Sequence, residues 1–218
     1  MILVPVKNLS GAKQRLASLL DQATRTELAQ AMLLDVLETL ASWQGRPEVA
    51  LVTSDPFARE LARRFAFEVI HDAANRSETD AIEMATGICQ AREMNFTLVI
   101  PGDIPLIQAW ELQRILEVAP ERGGSVLSPA GDDRGTNAVF RRPAGLFPLR
   151  FGNDSFKPHL AAARATGKPV VVLPLPGIAL DVDVPADLRR LVSLPGETRS
   201  QRLVRRFDLA DLPLAANE

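Results

Sequence analysis

Seven short runs of apolar, β-prone residues recur along the chain, separated by segments with helical periodicity. Several of these runs are apolar at every position, which is typical of strands covered on both faces of a sheet. The sequence predicts strands at residues 2–6, 49–53, 67–70, 97–100, 125–127, 138–140 and 170–173.

The segments between the runs have the spacing of helices that bury one face. Between residues 25 and 40, apolar residues lie four apart at Leu28, Met32, Val36 and Leu40. Further helices are predicted at 58–65, from 77 onward, at 106–118 and from 155 to 164. The alternation of strand and helix predicts an α/β fold in which helices cover both faces of a mostly parallel sheet.

Length and composition agree with one domain spanning residues 1–218. The chain has 218 residues, of which 46% are hydrophobic and 24% charged, and single α/β domains often reach about 200–250 residues. From about residue 196 we expect a solvated, flexible C-terminal tail. The alternative is a partner-binding arm, because this segment carries Arg199, Arg202, Arg205, Arg206, Asp208 and Asp211.

Charge and cysteine content exclude several classes of protein. The formal net charge is −2, so we expect no nucleic-acid partner, and any phosphate site must be built locally. Cys89 is the single cysteine and is expected to be a buried apolar residue. One cysteine and two histidines are too few for a zinc site of the usual Cys/His kind, so we expect none. We find neither a signal segment nor an apolar run near the ~18 residues that span a bilayer, which predicts a cytoplasmic protein without membrane contact.

The first predicted strand runs directly into a basic loop. Lys7, Lys13 and Arg15 lie in this loop, and ligands of open α/β sheets bind beyond the carboxyl ends of the strands. Three cations and free backbone N–H groups favour a polyphosphate. An ordinary surface loop is the alternative, and the pattern of a Walker loop is absent.

Acidic residues follow two later segments. Asp103 comes directly after the strand at 97–100, and magnesium prefers one or two carboxylates completed by phosphates and waters. The alternative is that Asp103 caps the helix at 106–118. In an extended strand Asp181 and Asp183 would point to one face and suit a cation, unless they lie on a solvent-facing strand edge. Asp187 is expected to cap the helix that follows.

Small hydroxyl residues beside glycines form a third candidate region. Thr136 follows Gly135, and Ser155 follows Gly152 by three residues. Such segments offer hydroxyl and N–H donors that hold carboxylate or phosphate oxygens. Ser155 could instead cap the helix that begins there, and His159 is expected to be structural rather than catalytic.

Five motifs, taken together, resemble those of the guanylyltransferases of deazaflavin (F-420) coenzyme biosynthesis. That family activates 2-phospho-L-lactate, phosphoenolpyruvate or 3-phosphoglycerate with GTP. The resemblance implies a magnesium-dependent nucleotidyltransferase domain, a GT-A-like, Rossmann-like three-layer sandwich with a mostly parallel, mixed sheet. The motifs are VPVKNLSGAKQRL (4–16), PGDIPLI (101–107), GTNAVF (135–140), FGNDSFKPH (151–159) and DVDVP (181–185).

The resemblance also implies roles for single residues. Lys7, Lys13 and Arg15 would hold the phosphates of GTP, with Lys13 and Asp103 catalytic. Asp103 and an aspartate of the pair Asp181 and Asp183 would bind Mg²⁺. The acid substrate would be held by Thr136, Gly152 and Ser155. Asp80 stands where many relatives have an asparagine that approaches the base, and an aspartate can accept from the N1 and N2 donors of guanine.

Two other functions remain open at this point. The first is a nucleotidyltransferase for a sugar phosphate or a molybdopterin, although such relatives usually have a glycine-rich first loop. The second is a nucleotide-binding relative without catalysis. The face of the predicted helix that carries Met32 and Leu33 could serve the core or a homodimer interface.

Overall fold

The computed structural model of the protein describes residues 1–152 and 154–207. Its seven strands form one sheet in the order β3-β2-β1-β4-β6-β5-β7. β6 is antiparallel to both of its neighbours, and the other neighbouring pairs are parallel. The strands are β1 (Ile2–Val6), β2 (Val49–Thr53), β3 (Glu68–His71), β4 (Thr97–Val99), β5 (Gly124–Pro129), β6 (Thr136–Arg142) and β7 (Val170–Val172).

Seven α-helices accompany the sheet in the described part of the chain. They are α1 (Gln22–Ser42), α2 (Pro56–Arg64), α3 (Glu78–Ala91), α4 (Ala109–Val118), α5 (Phe156–Ala165), α6 (Pro185–Ser193) and α7 (Arg199–Val204). Several helices have an N-cap side chain that accepts a hydrogen bond from a backbone N–H of the first turn. These N-caps are Asp21 for α1, Asp55 for α2 and Ser77 for α3.

The two faces of the sheet carry different helices. On β1, Ile2 and Val4 belong to a core cluster shared with α1, α2 and α4. Leu3 belongs to a second cluster shared with α3 and α5. Because successive side chains of a strand point to opposite faces, these two clusters make the three layers, and the predicted α/β sandwich with a mostly parallel, mixed sheet is confirmed.

The first four strands lie within one residue of their predicted positions, but other details differ. The segment that contains Asp181 and Asp183 is not a strand of the sheet. Helix α4 begins at Ala109, with Gln108 as its N-cap, so Asp103 does not cap it. Met32 and Leu33 are 0% and 1% exposed, so that face of α1 serves the core, not an interface.

The segment from residue 196 differs from the predicted solvated tail. Residues 199–204 form α7, whose Leu203 and Val204 are buried in a third apolar cluster. The buried carboxylate of Asp35 on α1 accepts from the backbone N–H groups of Arg199 and Ser200 at 2.8 and 2.9 Å. The sequence reading missed this helix because it is short and its anchor lies far away in sequence. Asp208 and Asp211 lie outside the described residues.

Two further findings concern burial. Cys89, a residue of α3, is a fully buried free thiol, as predicted, and belongs to the second apolar cluster. None of the helices in residues 1–152 and 154–207 is long and apolar enough to cross a lipid bilayer.

Candidate functional site

The carboxyl ends of the central strands open into a cavity of about 490 Å³, which we call the site cavity. Asp103 reaches it from the loop after β4. Thr136 reaches it from the first position of β6, because β6 runs antiparallel to β4 and begins at the edge of the sheet where β4 ends. The antiparallel strand therefore brings the acidic and the hydroxyl motifs to one place.

Lys13 joins the two acidic segments at one end of the site cavity. Its Nζ donates to Asp103 Oδ2 at 2.6 Å and to Asp183 Oδ1 at 2.8 Å. The side chain of Lys13 is 7% exposed, whereas those of Asp103 and Asp183 are 31% and 42% exposed. The buried amine thus lies behind two carboxylates that face the cavity.

Electrostatics favour the charged forms of Lys13 and Asp183. Burial alone would lower the pKa of Lys13, but the carboxylates of Asp103 and Asp183 outweigh it and hold that pKa above its ordinary value. Burial likewise opposes the charge of Asp183, and Lys13 outweighs it, so the pKa of Asp183 is lowered. Lys13 also has φ 56°, a left-handed backbone that costs a non-glycine residue about 1–2 kcal/mol.

Asp181 has a different partner. Its Oδ1 accepts from Asn137 Nδ2 at 3.0 Å, and the same amide group donates to the carbonyl of Ile178 at 2.9 Å. Burial raises the pKa of Asp181, and the charge of Asp103 raises it further. Six residues further along the chain, Asp187 Oδ2 accepts from the backbone N–H groups of Asp183 and Val184. The predicted capping role of Asp187 is confirmed, and it fixes the backbone that carries Asp183.

The loops that carry these charges are held at close range. A Cβ atom on Gly102 would lie 3.1 Å from Leu33 Cδ1, so glycine lets the Asp103 loop approach α1 closely. The first loop is tied to the sheet because Leu9 N–H donates to the buried Asp55 carboxylate at 3.0 Å. Lys7 Nζ donates to Asp72 Oδ2 at 2.7 Å. These contacts fix the relative positions of the first loop and the ends of β2 and β3.

The opposite end of the site cavity is a network of neutral groups. Thr136 N–H donates to Ser155 Oγ at 3.1 Å, and the two hydroxyl oxygens lie 3.3 Å apart. Thr136 Oγ1 also lies 3.0 Å from His159 Nδ1. Although Ser155 precedes α5, its side chain makes no capping bond to that helix. Its hydroxyl instead connects the start of β6 to the start of α5.

His159 is a neutral part of this network. It is 1% exposed, and burial, with the charge of Arg141, lowers its pKa to about 4. Its Nε2 accepts from the backbone N–H of Arg150 at 2.8 Å, which assigns the proton of the neutral ring to Nδ1. Nδ1–H then donates to Thr136 Oγ1. The predicted structural character of His159 agrees with this geometry.

Backbone and side-chain contacts hold the two hydroxyl motifs together. Gly152 has φ 131°, which a side chain would oppose, and Asp154 has φ 57°. Phe156 N–H donates to the carbonyl of Arg134 at 2.8 Å. Above this contact the side chains of Arg134 and Asp154 form an ion pair at the mouth of the site cavity.

A second cavity of about 290 Å³, the loop cavity, lies under the first loop and against α1. The two cavities share Glu78, Pro101, Asp103 and Asp183 as a common wall. Burial, reinforced by the Asp103 carboxylate, raises the pKa of Glu78 to about 7. This arrangement offers adjoining spaces for two ligands on either side of one acidic wall.

The structure brings most of the predicted site residues together. Those that line the site cavity are Arg15, Asp103, Thr136, Gly152, Ser155, Asp181 and Asp183. Lys7 and Lys13 line the loop cavity. Asp80 lines neither cavity: it is exposed in the first turn of α3, where its backbone N–H is capped by Ser77.

Five polar residues that line the site cavity lie outside the sequence prediction: Glu78, Asp132, Arg134, Asn137 and Asp154. Glu78 begins α3 beside the Ser77 cap, so it reads as a helix start. Arg134 and Asn137 flank the Gly135-Thr136 motif, and that proximity was the available signal. The sequence does not reveal the hydrogen bond between Asn137 and Asp181, because 44 residues separate the two.

The lining of the site cavity is acidic. It includes six acidic side chains, Glu78, Asp103, Asp132, Asp154, Asp181 and Asp183, against two cationic ones, Arg15 and Arg134. No group of three or more His, Cys, Asp or Glu side chains in the described ranges could hold a metal ion. Asp103 and Asp183 each use one oxygen for Lys13, which leaves a second hard oxygen donor on each. That set suits Mg²⁺ when phosphates supply further ligands.

Comparisons with known proteins agree over nearly the whole chain. The family profile described as "Guanylyl transferase CofC like" matches residues 1–213. A phosphoenolpyruvate guanylyltransferase from Rubrobacter xylanophilus is 38% identical over 88% of this chain and 93% of its own length. A 2-phospho-L-lactate guanylyltransferase from Methanothermobacter thermautotrophicus is 33% identical over 94% of this chain and 89% of its own length.

Solved structures support the fold. A crystal structure from Desulfovibrio desulfuricans G20, provisionally described as a nucleotide-diphospho-sugar transferase, superposes with a TM-score of 0.75 at 19% identity. It covers 94% of this chain and 93% of that chain. The 2-C-methyl-D-erythritol 4-phosphate cytidylyltransferase from Thermus thermophilus gives a TM-score of 0.55 at 17% identity, over 94% and 98%. With the family profile and the curated relatives, the chain belongs to the CofC-like guanylyltransferase family.

Proposed function

We propose that this protein transfers GMP from GTP to the phosphate of a phosphorylated three-carbon acid and releases pyrophosphate, as a step of coenzyme F-420 biosynthesis. The observation that carries this proposal is the two-ended site cavity. Asp103 and Asp183, which Lys13 holds from the adjoining loop cavity, form its charged end, and Thr136 and Ser155 form its neutral end. The names of the relatives favour phosphoenolpyruvate or 2-phospho-L-lactate as the acid, with 3-phosphoglycerate as a third candidate.

The chemistry needs no general base. A phosphate monoester carries close to two negative charges at neutral pH, so its oxygen can attack the α-phosphorus of GTP directly. A new P–O bond forms there, the bond from the α-phosphorus to the α,β-bridging oxygen breaks, and that oxygen leaves with pyrophosphate. Catalysis then consists of holding two polyanions together and neutralising their charge. The neutral, buried His159 fits this account because no proton acceptor is required.

Charge neutralisation is assigned to Lys13 and to a divalent cation. Asp103 and Asp183 would hold Mg²⁺, which when bound supplies positive charge beside the phosphates, whereas the Asp181 carboxylate accepts from Asn137. The acidic lining supports this assignment, because two polyanionic substrates would otherwise meet six acidic side chains. Lys13 keeps Asp103 and Asp183 in place from behind and adds its own charge to the phosphate site.

We assign GTP to the loop cavity and to the acidic wall that it shares with the site cavity. Lys7 and Arg15 would hold phosphate oxygens, as the basic first loop suggests. Asp80 would contact the base only if the first turn of α3 moved, because its side chain lines neither cavity. Cytoplasmic location and assembly as a homodimer stay predictions from the sequence.

The proposal is tested by offering the three acids separately to the purified protein with magnesium and GTP. Pyrophosphate release and the mass of the nucleotidylated product are both recorded. We expect release with at least one acid, dependence on magnesium, and no release with ATP. A parallel reaction without any acid measures background hydrolysis of GTP.

Two other outcomes would redirect the assignment. Release with a sugar phosphate or a molybdopterin, but with none of the acids, would change the acceptor class. Magnesium-independent GTP binding without release from any acceptor would indicate a nucleotide-binding relative without catalysis. The coupled reaction with the next enzyme of the pathway detects a product that is too short-lived for direct mass detection.

A further inference from the structure

The ion pair between Arg134 and Asp154 stands on the wall of the site cavity beside the hydroxyl network. Arg134 Nε and Nη2 donate to the two oxygens of Asp154 at 2.5 and 3.2 Å. A guanidinium group therefore holds a carboxylate with two parallel hydrogen bonds at this place, which is the preferred geometry for such a pair. The two side chains are 66% and 60% exposed, so the pair is open to ligands in the cavity.

The backbone beneath Arg134 is fixed, so its side chain can change partner without a loop movement. Arg134 N–H donates to Asp132 Oδ1 at 2.8 Å, and its carbonyl accepts from Phe156 N–H at 2.8 Å. Exposed ion pairs contribute little to stability. Exchange of Asp154 for another carboxylate therefore costs little and needs a side-chain rotation only.

The charge distribution of the cavity gives Arg134 a specific task. Arg15 and Arg134 are the cationic side chains that line it in the described part of the chain. Arg15 lies two residues from Lys13, which bonds to Asp103 and Asp183, and its charge lowers the pKa of Asp183, so Arg15 belongs to the side of the acidic residues. Arg134 is then the cation on the side of Thr136 and Ser155, whose own groups are neutral donors.

We propose that Arg134 binds the carboxylate of the acid substrate by releasing Asp154, and so makes the enzyme selective for phosphorylated acids over other phosphate monoesters. This inference rests on the proposed function. The substrate phosphate must lie near the α-phosphorus of GTP, at the charged end. Its carboxylate then extends to the neutral end, where Arg134 adds charge to the hydroxyl donors. Asp154 occupies the place of that carboxylate when no substrate is bound.

The test separates recognition of the carboxylate from recognition of the phosphate. In Arg134→Met, the KM for the accepted acid is compared with the inhibition constant of ethyl phosphate, a phosphate monoester without a carboxylate. We expect the KM for the acid to rise at least about 10-fold, as for the loss of a hydrogen bond to a charged group. The inhibition constant of ethyl phosphate and the KM for GTP should change less than about 3-fold, since neither uses this contact.

Two further variants complete the experiment. Lys168→Met removes one positive charge from an exposed residue that does not line the site cavity, and we expect it to leave the KM for the acid unchanged. Asp154→Asn should lower that KM about 2- to 3-fold, because asparagine tolerates a left-handed backbone and no longer competes as a carboxylate.

An unchanged KM in Arg134→Met, or an equal loss of the acid and of ethyl phosphate, would overturn the inference. A rise of the KM in Asp154→Asn would show that Asp154 orients Arg134 rather than competing with the substrate, which contradicts the exchange. Failure of the proposed function is a separate result, because the wild-type protein would then release no pyrophosphate with any acid.

Discussion

The two ends of the site cavity are built on opposite principles. At one end Lys13 forms ion pairs with Asp103 and Asp183. At the other end Thr136, Ser155 and His159 are neutral and satisfy one another through hydrogen bonds. The charged end depends on Coulomb interactions that a cation or a phosphate can change. The neutral end has a geometry that is set before any ligand arrives.

This difference matches the demands on the two ends. The transferred nucleotidyl group gains and redistributes charge during the reaction, so strong, fixed charges are useful beside it. The acid keeps its carboxylate throughout, so its end of the cavity needs selection and orientation rather than charge stabilisation. Substitutions at the charged end should therefore act on turnover, and those at the neutral end on affinity for the acid or on folding.

The largest effect is expected at the charged end. Asp103→Asn removes one carboxylate charge from the Lys13 triad and should lower turnover at least ~100-fold, as for the loss of one preorganised electrostatic group. Pyrophosphate release at saturating magnesium measures it. Asp133→Asn is the matched control, because Asp133 has φ 57°, which asparagine tolerates, and does not line the site cavity. A near-wild-type rate for Asp103→Asn would remove Asp103 from the metal site.

A smaller effect is expected on stability at acid pH, through His159. The folded protein holds His159 neutral down to about pH 4, whereas the unfolded chain protonates it below about 6.5. The unfolded state therefore binds more protons in this window, and stability falls as the pH drops from about 6.5 towards 4. Relative to His159→Gln, which does not titrate, the wild type should lose about 2 kcal/mol of unfolding free energy between pH 7.5 and pH 5.

Urea unfolding of both proteins at the two pH values measures this difference. The comparison with the variant cancels the contribution of the other buried carboxyl groups, such as Asp35, because they are present in both proteins. Identical pH dependence of the two proteins would show that His159 is not held neutral by the fold.

The smallest effect is expected for Ser155→Ala. The hydroxyl accepts from Thr136 N–H, and its loss removes one donor from the acid site as well as one partner of the backbone. We expect the KM for the acid to rise about 10-fold, as for one hydrogen bond of roughly 1.4 kcal/mol, with a smaller change in the KM for GTP. Ser193→Ala, an exposed serine that bonds within its own helix, is the control. Equal changes in both KM values would make Ser155 a purely structural residue.

The sequence predicts the strands more accurately than the segments that connect them. β1 and β2 were predicted residue for residue, because a strand buried on both faces leaves an uninterrupted apolar run. The segment around Asp181 was predicted as a strand, yet it lies outside the sheet and is held by Asn137 and Asp187. Helix α7 was not predicted, because its stability comes from the buried Asp35 of α1, 164 residues away from Arg199.

Within the candidate site, the sequence predicts residues that belong to a short local pattern better than residues whose position depends on the folded structure. Gly152 and Ser155 were found because a glycine and a hydroxyl residue in one short segment form a local pattern. Glu78 was missed because it reads as the first residue of a helix. Asp80, three residues from the Ser77 cap, was carried over from the family pattern, and the helical turn leaves it outside the lining of both cavities.

The sequence by itself determined the layered α/β fold, the family, and which loops carry charge or hydroxyl groups, because periodicity and short motifs are local properties of a chain. Only the tertiary structure decided that Lys13 lies between Asp103 and Asp183, that His159 is neutral and bonded to Thr136, and that Arg134 holds Asp154 at the mouth of the cavity. Ion pairs and pKa values depend on distances between atoms and on exclusion of water. Those quantities exist only once the antiparallel β6 has brought the distant loops to one edge of the sheet.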